Sequence, residues 1–145
     1  TAVAAAGALL AAVITPGRVR GIGEQRWSAI ALGQAGLIGM PLVLVGTQLL
    51  SLPVILLGAF SIGFAGQAVK VCCDTLVQEN IHDDHLGRVF ALIDMWVNVC
   101  LVSGTVIAAA VIPVSGEAPV LVALLGVLLT AAAAWAARSR WTPRR

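Results

Sequence analysis

Long apolar runs broken by short polar intervals dominate this chain. A helix needs about 20 apolar residues to cross the hydrocarbon of a bilayer. Five runs qualify or nearly do: about residues 1–15, 27–48, 53–77, 89–112 and 119–137. None alternates with the period of a half-buried strand, so each predicts a helix. Pro16, Pro53, Pro113 and Pro119 fall at the ends of these runs, where a missing N–H costs least. Pro41 lies inside the second run and predicts a kink there, its freed carbonyl satisfied by neighbouring helices. Gly33, Gly36 and Gly39 recur every three residues and predict one close-packing face on that helix. Ala59 with Gly63, and Gly104 with Ala108, repeat the pattern on the third and fourth runs.

Composition agrees with that pattern. Of 145 residues 59% are hydrophobic and 11% charged, with a mean hydropathy of +0.97. A soluble domain carries roughly 25% charged residues, so this chain has too little polar matter to cover a core in water. The expected solvent is a lipid bilayer, and the expected fold class is an all-α membrane protein with five transmembrane helices. The chain opens on Thr1 inside an apolar run, without an initiator methionine, which predicts that the sequence continues upstream.

The charges are placed one-sidedly. Arg18, Arg20 and Arg26 lie between runs one and two, Lys70 and Arg88 bracket the connection between three and four, and Arg138, Arg140, Arg144 and Arg145 follow run five. With five crossings these places share one side of the membrane. The opposite connections, 49–52 and 113–118, hold a single charge, Glu117. The positive-inside rule makes the basic side cytoplasmic, and predicts a multi-pass protein of the cell (plasma or inner) membrane with a cytoplasmic tail at 138–145.

Within this oily chain, seven of the sixteen charges fall between Lys70 and Asp94. On run three, Gly63, Gln67, Lys70, Asp74 and Gln78 step at helical spacing along one face, with Lys70 and Asp74 one turn apart. On run four, Asp94, Asn98 and Thr105 do the same. Ionisable groups inside a span are expensive and usually face a bundle interior or a wet cavity. Two readings stay open. One is a structural ion network at the headgroup level, with Lys70 snorkelling to the interface and Asp94 about two turns from Arg88. The other is a polar seam lining a transport path, with Gln34, Gln67, Asp94 and Asn98 as the pathway candidates.

Other chemistry is thin. His82, Asp83, Asp84 and His85 are consecutive, predict a solvated loop and cannot all turn to one ion; no third histidine completes a metal site. "VSGE" at Val114–Glu117 has the look of a serine-nucleophile loop but has no histidine on its side of the membrane. No G-x-x-x-x-G-K-[ST] loop occurs. Cys72, Cys73 and Cys100 read as small apolar residues. No enzyme activity, cofactor, metal or nucleic-acid partner is expected.

The run "KVCCDTLVQENIHDDHLGRVFALIDMWVNV", Lys70–Val99, resembles the connection between helices ten and eleven of the major facilitator superfamily, and is most similar to its drug and siderophore exporter branch of enterobactin-exporter-like, transmembrane-secretion-effector permeases. Asp74, Gln78, Asp83, Gly87, Arg88, Val89 and Phe90 carry the match, with Asp94 and Asn98 after them. "PGRVRGIGEQRW" resembles the second-half copy of the family's helix 2–3 loop; Gly23 and Arg26 match, and Arg20 stands near the place of the family's acidic residue. The resemblance implies that the five spans are helices eight to twelve, most of the C-terminal six-helix half. Its partners are then the preceding helices of the same transporter and a small-molecule substrate. It further implies proton-coupled export of small amphipathic molecules by alternating access. Lys70, Asp74, Asp84 and Arg88 then belong to a cytoplasmic gate, in which Arg88 pairs with Asp84 or a neighbouring loop. A stand-alone membrane scaffold without cargo is the competing expectation.

Overall fold

The computed structural model describes residues 2–81, 83–112 and 118–139, apart from the side chains of Asp83 and Asp84. Its elements are α1 (Ala2–Ile22), α2 (Glu24–Gln34), a π turn (Ala35–Gly39), α3 (Met40–Gln48), α4 (Leu52–Asn80), α5 (Asp83–Val111) and α6 (Pro119–Arg138). No strand occurs among the described residues. With α2, the π turn and α3 taken as one rod, five helices are long and apolar enough to cross a membrane. The protein is an all-α, multi-pass membrane protein. Its chain separates into two units, Thr1–Cys73 with Val120–Arg145, and Asp74–Pro119.

The first unit is held by small residues. Its core comprises Ala11, Ala31, Ala35, Ala65 and Ala68, with Phe64 and Leu129 packed against it, and the largest fully buried side chains are Thr15 and Cys72. Large apolar groups point outward instead: Leu9, Val13 and Trp135 are each more than two-thirds exposed. Lipid tails solvate such groups as well as a protein core does, so helix association rests on close backbone approach. The α1–α4 crossing shows this directly. A Cβ on Gly7 would collide with the Phe60 carbonyl oxygen, and one on Gly63 with that of Ala4.

Three local departures from the sequence pattern stand out. Pro16 does not end α1; the helix runs six residues further, and Arg18 and Arg20 ride on its last turns instead of lying in a loop. Only Gly23 separates α1 from α2, at φ 87° and ψ 151°, a conformation open almost solely to glycine. Two residues, 81 and 82, lie between α4 and α5. Asp83 and Asp84 open α5 and His85 follows within it, so they do not form a solvated loop. His82, Pro113, Glu117, "VSGE" and Arg140, Arg144 and Arg145 of the tail lie outside the described residues.

The irregularity expected at Pro41 takes the form of the π turn. The proline ring would clash with the carbonyl of Leu37, four residues back, and the wider turn there gives it room. The turn also changes the glycine pattern. On a regular α-helix Gly36 and Gly39 project about 60° apart; the i→i+5 turn roughly doubles that separation. Gly36 accordingly packs on α6, where a Cβ would lie 2.6 Å from Thr130 Cγ2, and Gly39 packs on α4, 2.8 Å from Ser61 Oγ. Gly33 faces Ala133 of α6. The three glycines serve two faces, not the single one their spacing predicts.

Candidate functional site

Gln34 ends α2 at the start of the π turn. Its Nε2 donates to Ser61 Oγ on α4 at 2.5 Å, while its Oε1 is buried and finds no donor among the described residues. Ser61 is itself 5% exposed. This is a polar contact inside an otherwise alanine- and glycine-built seam, beside the one place where the rod departs from α geometry. A buried acceptor without a donor is costly, so the Gln34 amide is a group with unused hydrogen-bonding capacity deep in the first unit. Sequence spacing singles out Gln34 but not Ser61, because nothing local says which helix a serine will meet.

Gln67 is half-buried on α4. The buried face of that helix runs through Gly58, Ser61, Ala65, Ala68 and Cys72. Gln67 and exposed Lys70 therefore flank the packed face and are not part of it. Asp74, half-buried, lies four residues on from Lys70 along the same helix. Of the three cysteines, all free, Cys72 is buried and Cys73 and Cys100 are exposed.

Arg88, Asp94 and Asn98 belong to α5 in the second unit, and all three are exposed. Asn98 Nδ2 donates to the Asp94 carbonyl at 2.8 Å, and Thr105 Oγ1 to the Leu101 carbonyl at 2.7 Å. The polar stripe thus hydrogen-bonds back onto its own helix, which lowers the cost of holding amides and hydroxyls in hydrocarbon. Asp94 lies seventeen residues before Val111, about 26 Å along the axis at 1.5 Å per residue. That is close to the roughly 30 Å hydrocarbon thickness, and Asn98 lies about one turn further along the helix toward Val111. The Asp84 side chain lies outside the described residues, so its pairing with Arg88 does too.

An apolar cavity of about 290 Å³ lies between the π turn and α3 on one side and α6 on the other, lined by Gly36, Leu37, Met40, Pro41, Val122 and Gly126 among others. Its polar member, Thr130, spends its hydroxyl on the Gly126 and Val127 carbonyls of its own helix. The cavity therefore offers hydrocarbon contact and little else.

At the basic end, two contacts that spacing does not reveal tie the helices together. Trp27 Nε1 donates to the buried Thr15 Oγ1 at 3.2 Å, and the indole meets the Phe64 ring edge-on at 6.4 Å. Gln25 Nε2 reaches the C-terminus of α6, donating to the Ala136 carbonyl at 2.8 Å, to Ser139 Oγ at 2.9 Å and to the Ser139 carbonyl. No group of three or more histidine, cysteine or acidic residues placed to hold a metal occurs among the described residues.

Comparison with known proteins adds a family likeness. Over 116 residues, 80% of this chain, it is 37% identical to an uncharacterized MFS-type transporter of Mycobacterium bovis, and equally to one of Mycobacterium tuberculosis, MFS denoting the major facilitator superfamily. The chain spans about a quarter of the length of these curated relatives, the match covering 25% of each. No family model matches it, and no solved structure does.

Proposed function

We propose that this chain is a segment of a major facilitator superfamily transporter, corresponding to helices eight to twelve, and that the whole protein moves a small amphipathic molecule out of the cell. The likeness to two MFS-type transporters over four-fifths of the chain is the observation that carries this reading, and five helices long and apolar enough to cross a membrane support it. The resemblance of Lys70–Val99 to the exporter branch supports the direction of transport. In this reading the rod ends rich in arginine face the cytoplasm of the cell membrane.

Alternating access would turn the polar stripe of α5 toward the substrate path. Asp94, near the boundary of the hydrocarbon, is then the proton-carrying carboxylate of this segment, and Asn98 one turn deeper is a hydrogen-bonding contact for cargo, with Gln34 and Gln67 as further polar groups along the path. Lys70, Asp74, Asp84 and Arg88 form the cytoplasmic gate, closing when the cations meet carboxylates and opening when those pairs exchange. The carboxylate would load a proton from the outside and release it inside, driving the opposite movement of cargo.

The test uses the full-length transporter in vesicles with an imposed pH gradient. Asp94→Asn is expected to abolish gradient-driven efflux while leaving cargo binding within about twofold, since an amide keeps the size and hydrogen bonding but cannot titrate. Full gradient-driven efflux by that variant would remove Asp94 from the coupling path. Arg88→Gln is expected to slow efflux without lowering expression, and unchanged efflux would exclude a gate at that residue.

A further inference from the structure

The π turn and Pro41 together leave one backbone carbonyl of the rod without a helical donor. Met40 N–H bonds to the Ala35 carbonyl, five residues back. A regular α-helix would have given that N–H to Gly36. A continued π pattern would instead bring Gly36 the N–H of residue 41, and Pro41 has none. Both patterns therefore pass over the Gly36 carbonyl. Gly36 is buried, and the polar side chain beside it, Thr130, donates to Gly126 and Val127 of its own helix. A buried acceptor left unmet is costly.

Gly36 is also part of the wall of the apolar cavity between the rod and α6. Its carbonyl oxygen lies 3.6 Å from where a Cβ on Gly126 would stand, and Gly126 belongs to the facing wall. Glycine at that position keeps the approach to the oxygen open. Leu37, Pro41, Ala123 and Val127 line the cavity and are exposed, so its mouth opens on the outward apolar surface. None of Gln34, Gln67, Asp94 or Asn98 lines it. The volume of about 290 Å³ is nearly twice the roughly 150 Å³ that admits benzene. A water molecule would need two to four polar partners, more than this wall provides. A plain hydrocarbon chain would fill the space and leave the carbonyl unmet. A molecule with an apolar body and a single donor satisfies both.

We infer that this cavity binds a small, membrane-dissolved molecule with an apolar body the size of about two fused rings and one hydroxyl or N–H group, which donates to the Gly36 carbonyl. The molecule enters from the lipid through the exposed apolar mouth. Its body replaces hydrocarbon contacts that the open cavity lacks, and its donor supplies the bond that Pro41 withholds. The inference requires only that the chain sits in a bilayer, and it stands whether or not the protein transports anything.

The test uses the full-length transporter in nanodiscs, with isotope-labelled methionine methyls read by NMR. Met40 lines the cavity, and Met95, on α5 in the other unit, is the control; each signal is assigned by its loss in Met40→Leu or Met95→Leu. The probes are β-naphthol and its methyl ether, which share a ring system and differ in the O–H, both dosed per mole of lipid. β-Naphthol is expected to shift the Met40 methyl saturably and leave Met95 in place, with the ether binding about fivefold more weakly, the worth of one net hydrogen bond. Pro41→Ala gives the Gly36 carbonyl a donor in either helical pattern. It should bring the two probes within about twofold of each other while both still bind, a result that misfolding does not produce. No saturable shift of Met40 with either probe would overturn the site. Equal binding of the two probes by the wild type would make the cavity a slot for hydrocarbon such as an acyl chain, and a preference that survives Pro41→Ala would give the donor another partner; either result overturns the inference.

Discussion

Leu50 carries the one positive φ outside glycine among the described residues, 51°, with its side chain 89% exposed. It closes the turn after α3: Ser51 N–H donates to the Gly46 carbonyl and Leu50 N–H to that of Thr47, the paired bonds that end a helix through a left-handed residue. That position favours glycine, and a side chain there costs about 1 kcal/mol. Leu50→Gly is therefore expected to stabilise the protein by about that amount, read as a higher melting temperature in detergent. Gly23 is the reverse case. At φ 87° and ψ 151° it has space for a side chain but not the backbone freedom, so Gly23→Ala should lose about 1–3 kcal/mol and lower the same melting temperature. Glycine and leucine at these two places look interchangeable with other loop residues in the sequence; only the dihedral angles separate them. Gln34 and Trp27 differ again. Their polarity within apolar runs is plain in the sequence, while their partners, Ser61 and Thr15, are settled by which helices meet.

Among the elements, the α1–α4 crossing is the sharpest test of how this unit is held. Gly63 approaches the Ala4 backbone, whereas Gly66, three residues on, has nothing within 4 Å of where a Cβ would stand. Gly63→Ala should force the helices apart and destabilise the first unit, and Gly66→Ala should be neutral or slightly favourable through helix propensity. Equal effects in a denaturant titration would mean that the crossing does not carry the packing. The π turn belongs at this scale as well. Pro41 announces an irregularity in the rod, but not its kind. Inserting one wide turn sends Gly36 to α6 and Gly39 to α4, a division that a fixed three-residue step cannot express. Helix ends were the least legible feature, because Pro16 is tolerated inside α1, and Asp83 and Asp84, expected in a loop, open α5.

At the scale of the whole molecule, the distribution of arginine makes a topological prediction. In a background lacking Cys72, Cys73 and Cys100, single cysteines at Gly21 and Ala137 should react with a membrane-impermeant maleimide from one face of the bilayer, and a cysteine at Leu50 from the other. Labelling of Gly21 and Ala137 from opposite faces would end the five-span reading. The relatives are about four times as long as the matched region, and the exposed apolar surface of the first unit is what a helix bundle meets with lipid or with further helices.

The sequence by itself determined the solvent and the number of spanning helices, because burying charge in hydrocarbon is so costly that long apolar runs have no other place to go. It also marked Gln34, Gln67, Asp94 and Asn98 as polar groups needing partners. The tertiary structure decided which of the marked glycines meet which helix, and that Gln34 pairs with Ser61 while one end of its amide finds no donor among the described residues. Those outcomes depend on contacts between residues far apart in the chain, and van der Waals approach between helix backbones leaves no periodic trace that could be read in advance.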